Sequence, residues 1–179
     1  MSEKLKINGT DVKIMKDDIS TLDVDAFVFY AQTSLSLGSG YGNAISTRGG
    51  ASIKKELDAM GKAKVGDVVV SSAGNLKAKY ILHAVGPSFQ EEDSGNKLKK
   101  VINNTLKTAD EKGIFKIAFP MMGSGFYGII PDTSISIMYD CIKKYLSNET
   151  KLKEIIICAN DNRELRMFSS KIDLLKQGV

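Results

Sequence analysis

Two glycine-rich stretches are the part of this sequence best suited to hold an anion. They are Gly38-Ser39-Gly40-Tyr41-Gly42 and Gly123-Ser124-Gly125-Phe126-Tyr127-Gly128. Glycine carries no side chain, so the main-chain N–H groups of such loops can close around a phosphate or diphosphate. The second stretch has the spacing G-x-G-x-x-G, which alone is also typical of an ordinary turn between strand and helix. Two such loops in one chain favour a diphosphate held from both sides.

Groups suited to acid–base, thiol or metal chemistry are sparse. His83 is the only histidine and lies in an apolar, strand-like segment, so we expect a core histidine satisfied by hydrogen bonds. Cys141 and Cys158 lie in apolar periodic segments without a neighbouring cysteine or histidine. That pattern is typical of buried free thiols in a reducing compartment. We therefore predict no metal site and no cofactor.

The composition is that of an ordinary globular protein. The chain has 179 residues, of which 42% are hydrophobic and 26% charged, and we expect a single domain over residues 1–179. The net charge of +4 comes mostly from scattered lysines. Nucleic-acid binding is disfavoured, because such interfaces concentrate basic residues beside stacking aromatics. No stretch has the length of a signal peptide's apolar region or of a membrane span, so we predict a cytoplasmic protein without a membrane partner.

Strand-like and helix-like patterns alternate along the chain. We predict strands at 5–7, 12–14, 24–30, 65–71, 80–85, 116–120 and 155–159, and helices at 44–60, 96–113, from 132 onward and 162–175. Asn96 and Asp132 are the predicted caps of the middle two helices. This alternation predicts an α/β fold with three layers and a mixed, mostly parallel central sheet. Both glycine loops follow predicted strands, at the edge where such sheets bind ligands.

The order and spacing of these motifs resemble the macrodomain family, α/β modules that bind ADP-ribose. The resemblance covers about residues 13 to 171. It is carried by Asp18-Ile19-Ser20, Val24-Asp25-Ala26, Gly38-Ser39-Gly40, Ala44-Ile45, Ile81 to Pro87, Ala118-Phe119-Pro120 and Gly123 to Gly128. It implies the macrodomain fold and the binding of ADP-ribose or of ADP-ribosylated protein.

The resemblance assigns residues to the adenine. Asp18, followed by Ile19, matches the family aspartate that accepts a hydrogen bond from the adenine amine, although Asp17 stands where the family has glycine. Without the resemblance, Asp18 is better interpreted as the cap of the turn at 19–20. Asn160 stands where many members place an aromatic residue beneath the adenine, and an amide offers less stacking surface.

The resemblance also assigns the two loops to the diphosphate. Residues 38–42 match the first phosphate loop, and residues 123–128 match the second. Tyr127 corresponds to the aromatic residue that packs against the distal ribose; the alternative, simple filling of the core, is less favoured because glycines flank it.

The sequence departs from the family where one hydrolytic branch carries its catalytic groups. That branch has an Asn-Ala-Ala-Asn segment and an aspartate just past the first glycine loop; Phe29, Gln32 and Gly42 stand at those positions here. We therefore assign no catalytic residue. Phe29 and Gln32 are expected either to contact the distal ribose or, for Phe29, to fill the strand. The alternative function is an ADP-ribosyl hydrolase or O-acetyl-ADP-ribose deacetylase whose water is held by the ligand's own phosphate.

A dinucleotide-dependent oxidoreductase is a further alternative. It rests only on the spacing of Gly123, Gly125 and Gly128, a fingerprint that normally opens the first strand–helix–strand unit. Here it lies late in the chain, and the acidic residue expected about 20 positions on has only Asp140 as a candidate.

Overall fold

A seven-stranded sheet forms the centre of the computed structural model, which describes residues 3–38 and 40–177. The strands are β1 (Glu3–Ile7), β2 (Thr10–Lys16), β3 (Ala26–Ala31), β4 (Val68–Ser72), β5 (Tyr80–Val85), β6 (Lys116–Pro120) and β7 (Glu154–Ala159). Their order across the sheet is β1-β2-β7-β6-β3-β5-β4. The inner five are parallel, and β1 and β4 pair antiparallel at the edges. The predicted mixed, mostly parallel sheet is confirmed.

Five helices cover the two faces of the sheet. They are α1 (Tyr41–Gly49), α2 (Ala51–Met60), α3 (Ser94–Glu111), α4 (Pro131–Leu146) and α5 (Asn162–Lys176). Alternate strand residues point to opposite faces, so Phe27 of β3 packs with residues of α1 and α2, whereas its neighbour Val28 packs with α3, α4 and α5. Three layers result, as predicted. Among the described residues, no helix is both long enough and apolar enough to cross a membrane.

The structure corrects several predicted boundaries. The single helix predicted over 44–60 is two helices, because Gly50 has φ +87 and ends α1. The helix predicted to be capped by Asn96 begins at Ser94, and the side chain of Asp93 before it accepts no capping hydrogen bond from the helix. Asp132 is likewise not a cap, since α4 begins at Pro131, and proline fits a first helical position because its missing N–H needs no partner there.

Two predicted strands are also shifted. The strand predicted over 65–71 begins three residues later, at Val68, because Gly66 turns the chain at φ +100 and its N–H donates to Val85. The strand predicted over 24–30 occupies Ala26–Ala31.

Three neighbouring strands position the two glycine loops and the segment that follows β7. The first glycine loop follows β3 and the second follows β6, and these two strands pair directly. On the other side of β6 lies β7, which ends at Ala159. Because the three strands are parallel, their carboxyl ends lie at one edge of the sheet, where ligands bind in folds of this class.

Candidate functional site

A cavity of about 380 Å³ opens at the carboxyl ends of β3, β6 and β7. A second cavity of about 240 Å³ adjoins it, and the two share the side chains of Phe29, Tyr30 and Tyr127. We call the two cavities together the cleft. Its volume and its position on three parallel strands are typical of a small-molecule site.

The structure places most of the sequence-predicted residues on this cleft. Ile19, Phe29, Gly40, Tyr41, Gly123, Ser124, Gly125, Tyr127 and Asn160 line the first cavity, and Phe29, Gln32, Gly38 and Tyr127 line the second. Asp18 and Gly42 line neither cavity within the described part of the chain. Ser39 and the side chain of Phe126 lie outside the described residues.

The two glycine loops lie at the middle of the cleft. Gly40 has φ +59 and precedes the first residue of α1 without giving that helix a side-chain cap. The helix therefore presents its N-terminal end, which carries a partial positive charge, beside a cavity lined by Gly40 and Tyr41. In the second loop the N–H of Gly128 donates to Gly125 at 3.0 Å and the N–H of Ile129 donates to Gly123 at 3.0 Å. Those hydrogen bonds fix a tight turn against the same cavity.

Gly42 stands at the position that the hydrolytic branch of the family fills with an aspartate. It is buried, and a Cβ atom added there would lie 2.9 Å from the carbonyl carbon of Leu37. The position thus has no room for a side chain without movement of the loop.

Three aromatic side chains form what we call the Tyr127 end of the cleft: Phe29, Tyr30 and Tyr127. The rings of Tyr30 and Tyr127 lie 4.1 Å apart between centroids, at an angle of 37°. The Tyr30 hydroxyl donates to the carbonyl of Pro87 at 2.6 Å. Burial raises the pKa of the Tyr127 phenol, and a hydrogen bond with the Gln32 side chain opposes that shift. Tyr30 is therefore anchored in the core, and Gln32 holds Tyr127 from the second cavity.

Phe29 lines both cavities and lies against the buried His83. The two rings are 5.9 Å apart and nearly perpendicular. Nε2 of His83 lies 2.8 Å from the Ser71 hydroxyl, which itself donates to the carbonyl of Ser72. Nε2 is thus hydrogen-bonded to Ser71, whereas Nδ1 has no hydrogen-bond partner among the described residues. Burial lowers the pKa of His83 to about 4, so the expected core histidine is confirmed, but only one of its nitrogens is satisfied.

Asp18 lies near Tyr41, at the opposite end of the cleft, and directly precedes the lining residue Ile19 in the chain. Its Oδ1 accepts hydrogen bonds from the N–H and hydroxyl of Ser20, at 3.0 and 2.7 Å, which caps a short 3-10 turn. Its Oδ2 accepts from the guanidinium of Arg48, on α1. Partial burial acts to raise the pKa of Asp18, but the hydrogen bonds from Arg48 and Ser20 prevail and hold it below its usual value. The sequence analysis found the cap and missed Arg48.

Tyr41, Asn160 and Glu164 form what we call the Tyr41 end of the cleft. The Tyr41 hydroxyl donates to Oδ1 of Asn160 at 2.8 Å, and the Asn160 N–H donates to Glu164 at 2.7 Å. Burial raises the pKa of Tyr41 to about 12, with the nearby Cys158, Asp18 and Glu164 adding to the shift. Burial also raises the pKa of Glu164. Sequence analysis missed Glu164, which lies four residues beyond Asn160 on the first turn of α5.

Comparison with known proteins identifies the family. Residues 30–138 match the family model described as Macro domain. The chain is 34% identical over 170 residues to a macro domain-containing protein of Caldanaerobacter subterraneus, covering 92% of this chain and 97% of that protein. The chain therefore belongs to the macrodomain family, as its motifs implied.

Other relatives differ in length. A protein of Saccharolobus solfataricus is 36% identical over 166 residues, which cover 90% of this chain and 92% of the relative. One of Thermotoga maritima is 33% identical over 180 residues; 96% of this chain aligns, but it spans only 30% of that relative.

Solved structures share the fold. The Oceanobacillus iheyensis macrodomain with ADP superimposes with a TM-score of 0.94 at 23% identity, covering 100% of this chain and 98% of the other. The Trypanosoma brucei macrodomain in complex with ADP-ribose superimposes with a TM-score of 0.84 at 22% identity. The superposition covers 90% of this chain and 68% of the Trypanosoma chain.

Proposed function

We propose that this macrodomain binds ADP-ribose, either free or attached to a protein, along the cleft. The observation that carries the proposal is the meeting of both glycine loops on one cavity, since they leave the adjacent strands β3 and β6. Family membership and the ligands named for the Oceanobacillus and Trypanosoma structures support it.

The diphosphate would lie between the loops. Gly40, at the start of α1, and Gly123 and Gly125, across the cavity, leave main-chain N–H groups uncovered by side chains. Hydrogen bonds from such groups and the helix dipole favour a negative charge there. Neither loop presents a lysine or arginine, so the contact would be made mainly by the main chain.

The two ends of the cleft would take the two ends of the ligand. At the Tyr41 end, Ile19 and Ile45 would provide apolar surface for a base, and Asp18 directly precedes Ile19 in the chain. At the Tyr127 end, the second cavity would hold the distal ribose, beside the ring of Phe29 and the amide of Gln32. Which end takes the base follows the family resemblance, and the residues lining the two cavities support it.

Binding is preferred here over hydrolysis because of the residues at the Tyr127 end. The described residues that line the second cavity are Phe29, Tyr30, Gln32, Ser36, Gly38 and Tyr127, none of which is a carboxylate or a histidine. A general base for water would have to come from such a group or from the ligand itself. Measured release of ADP-ribose from a modified protein, lost in a loop variant, would reassign this chain as a hydrolase.

Calorimetric titration with ADP-ribose tests the proposal. We expect wild-type binding, and its loss in Gly125→Glu, which places bulk and negative charge against the diphosphate. Gly113→Glu is a matched control: both glycines have positive φ and open space around them, but Gly113 follows α3 and lines neither cavity. Equal loss in both variants, or no heat with the wild-type protein, would contradict the proposal.

A further inference from the structure

We propose that Tyr41 supplies the aromatic surface on which the base of the nucleotide stacks, and that Asn160 holds its ring in position. This rests on the proposed binding of a nucleotide and assigns the residue that recognises one part of it. Position 160 itself carries an amide, so the ring that stacks on the base would come from the opposite side of the cleft.

The first support is the path that the Tyr41 side chain takes. Tyr41 begins α1, which follows β3, whereas Asn160 directly follows β7. In the sheet β6 lies between those two strands. The hydrogen bond from Tyr41 to Asn160 therefore spans the carboxyl end of β6, where the second glycine loop begins. The Tyr41 side chain therefore borders the cavity from the first glycine loop to Asn160.

The second support is the surface around the ring. Ile45 lies four residues after Tyr41, one turn along the same helical face, and it lines the same cavity together with Ile19 and Cys158. Ile19 and Ile45 are buried, so their apolar atoms form a fixed wall. A planar base is suited to a site with an aromatic ring and branched aliphatic side chains, because both offer flat apolar contact.

The third support is the state of the hydroxyl. With its pKa raised to about 12 by burial, Tyr41 is a neutral phenol at physiological pH and donates to Asn160 Oδ1. The Asn160 main chain is fixed in turn, since its N–H donates to Glu164 on the first turn of α5. The ring is thus anchored at both ends, by the helix that carries it and by β7, before any ligand arrives. Such preorganisation lowers the ordering cost of binding.

A competing interpretation makes the opposite prediction. If the Tyr41 ring filled the base position itself, a ligand would have to displace it, and shortening the side chain would tighten binding. If the ring instead forms a wall of the base site, shortening the side chain would weaken binding. The direction of the change in affinity separates the two.

The experiment is a titration of the whole chain with ADP-ribose and, separately, with inorganic pyrophosphate, which has no base. Because a base loses its stacking contact when the aromatic ring is removed, we expect Tyr41→Leu to weaken the binding of ADP-ribose about tenfold. Pyrophosphate affinity should not change. Tyr41→Phe keeps the ring and loses its anchor, so a loss of roughly twofold to fivefold is expected from one neutral hydrogen bond.

Two further variants complete the test. Tyr139→Leu removes a half-buried tyrosine of α4 that lines neither cavity of the cleft, and it should leave ADP-ribose affinity unchanged. Asn160→Phe placed in the Tyr41→Leu background returns an aromatic ring to the other side of the base, so affinity should recover.

The outcomes also separate this inference from the proposed function. Wild-type binding of ADP-ribose with unchanged or tighter binding by Tyr41→Leu would overturn the role of Tyr41 and leave the proposed function intact. An equal loss of pyrophosphate and ADP-ribose would overturn it too, because it would trace the effect to the phosphate loop. No binding by the wild-type chain would overturn both.

Discussion

The guanidinium of Arg48 donates a hydrogen bond to the carboxylate of Asp18, which lies 30 residues earlier in the chain. Asp18 is the residue matched to the family's acceptor for the adenine amine. Its Oδ1 already accepts two hydrogen bonds from Ser20, while Oδ2 accepts one from Arg48. A carboxylate oxygen has two acceptor positions, so one on Oδ2 is left for a ligand, directly beside a cation that can itself donate.

The Arg48 side chain is therefore predicted to influence which base is accepted. A base with a carbonyl in place of the amine, such as hypoxanthine, can accept from the guanidinium. We expect Arg48→Met to raise the preference for ADP-ribose over its hypoxanthine analogue roughly threefold to tenfold, the scale of one charge-assisted hydrogen bond at a partly exposed site. Competition titrations measure the ratio. Arg166→Met, on the exposed side of α5, is the control, and an unchanged ratio in Arg48→Met would contradict the prediction.

Because of His83, we expect the protein to lose stability in mild acid. Burial lowers its folded pKa to about 4, below the ordinary histidine value of 6.5. Between those values the unfolded chain binds a proton that the folded chain does not, so stability is complete above pH 6.5 and falls as the pH drops toward 4. At 1.36 kcal/mol per pKa unit, the loss is about 3 kcal/mol at most. Urea unfolding at pH 7, 6 and 5 measures it.

The matched variant for that measurement is His83→Gln. Its amide can still donate to Ser71 but takes up no proton in this range. The variant should be less stable at pH 7 because of altered packing, and its free energy of unfolding should vary less between pH 7 and 5 than that of the wild type. Identical pH dependence in the two proteins would show that His83 is not the titrating group.

Substitution of Phe29 should change the affinity for the distal ribose of the ligand. In the hydrolytic branch an asparagine stands at this position, and an amide can hydrogen-bond a ribose hydroxyl where a phenyl ring cannot. We expect Phe29→Asn to increase the ratio of ADP-ribose to ADP affinity roughly threefold to tenfold, since only ADP-ribose has the distal ribose. Phe115→Asn, at an exposed position before β6, is the control. A ratio that falls or stays constant would argue against a distal ribose in the second cavity.

Adding a side chain at Gly86 should destabilise the fold at the Tyr127 end of the cleft. A Cβ atom added at Gly86 would overlap the ring of Tyr30, whose hydroxyl is tied to the adjacent Pro87. Gly86→Ala should therefore lower the free energy of unfolding by about 1–3 kcal/mol, the usual cost of overpacking. Thermal unfolding measures the change. Gly95→Ala is the control and should be the milder substitution, because Gly95 likewise has no positive φ and its added Cβ would meet only Cδ1 of Ile137, at an ordinary 3.8 Å.

The sequence was sufficient to predict the order of elements and the three layers. The buried strands are short apolar segments, and α3 and α4 carry regular helical stripes, so their signals are local. The boundaries at Gly50 and Pro131 were wrong, since the start and end of a helix depend on backbone angles and on competing caps rather than on the apolar pattern.

The contacts inside the cleft were beyond sequence reasoning. Tyr41 and Asn160 lie 119 residues apart, and their hydrogen bond exists only because β3, β6 and β7 are neighbours in the sheet. Arg48 gave no signal of its own as one basic residue on a helix. The unsatisfied Nδ1 of His83 is likewise a property of packing, because the sequence shows that a histidine lies in a strand but not which partners reach it.

The main-chain character of the two glycine loops has a consequence for how this protein can diverge. Every residue carries an N–H group, so a diphosphate held by the main chain survives most exchanges of neighbouring side chains. In the proposed binding mode, recognition at either end would depend on single side chains, Tyr41 or Phe29, contributed by separate segments. Selection can therefore retune the base or the distal sugar independently, while the middle of the ligand stays bound. Related proteins would then retain diphosphate binding while differing in the base or the distal sugar that they prefer.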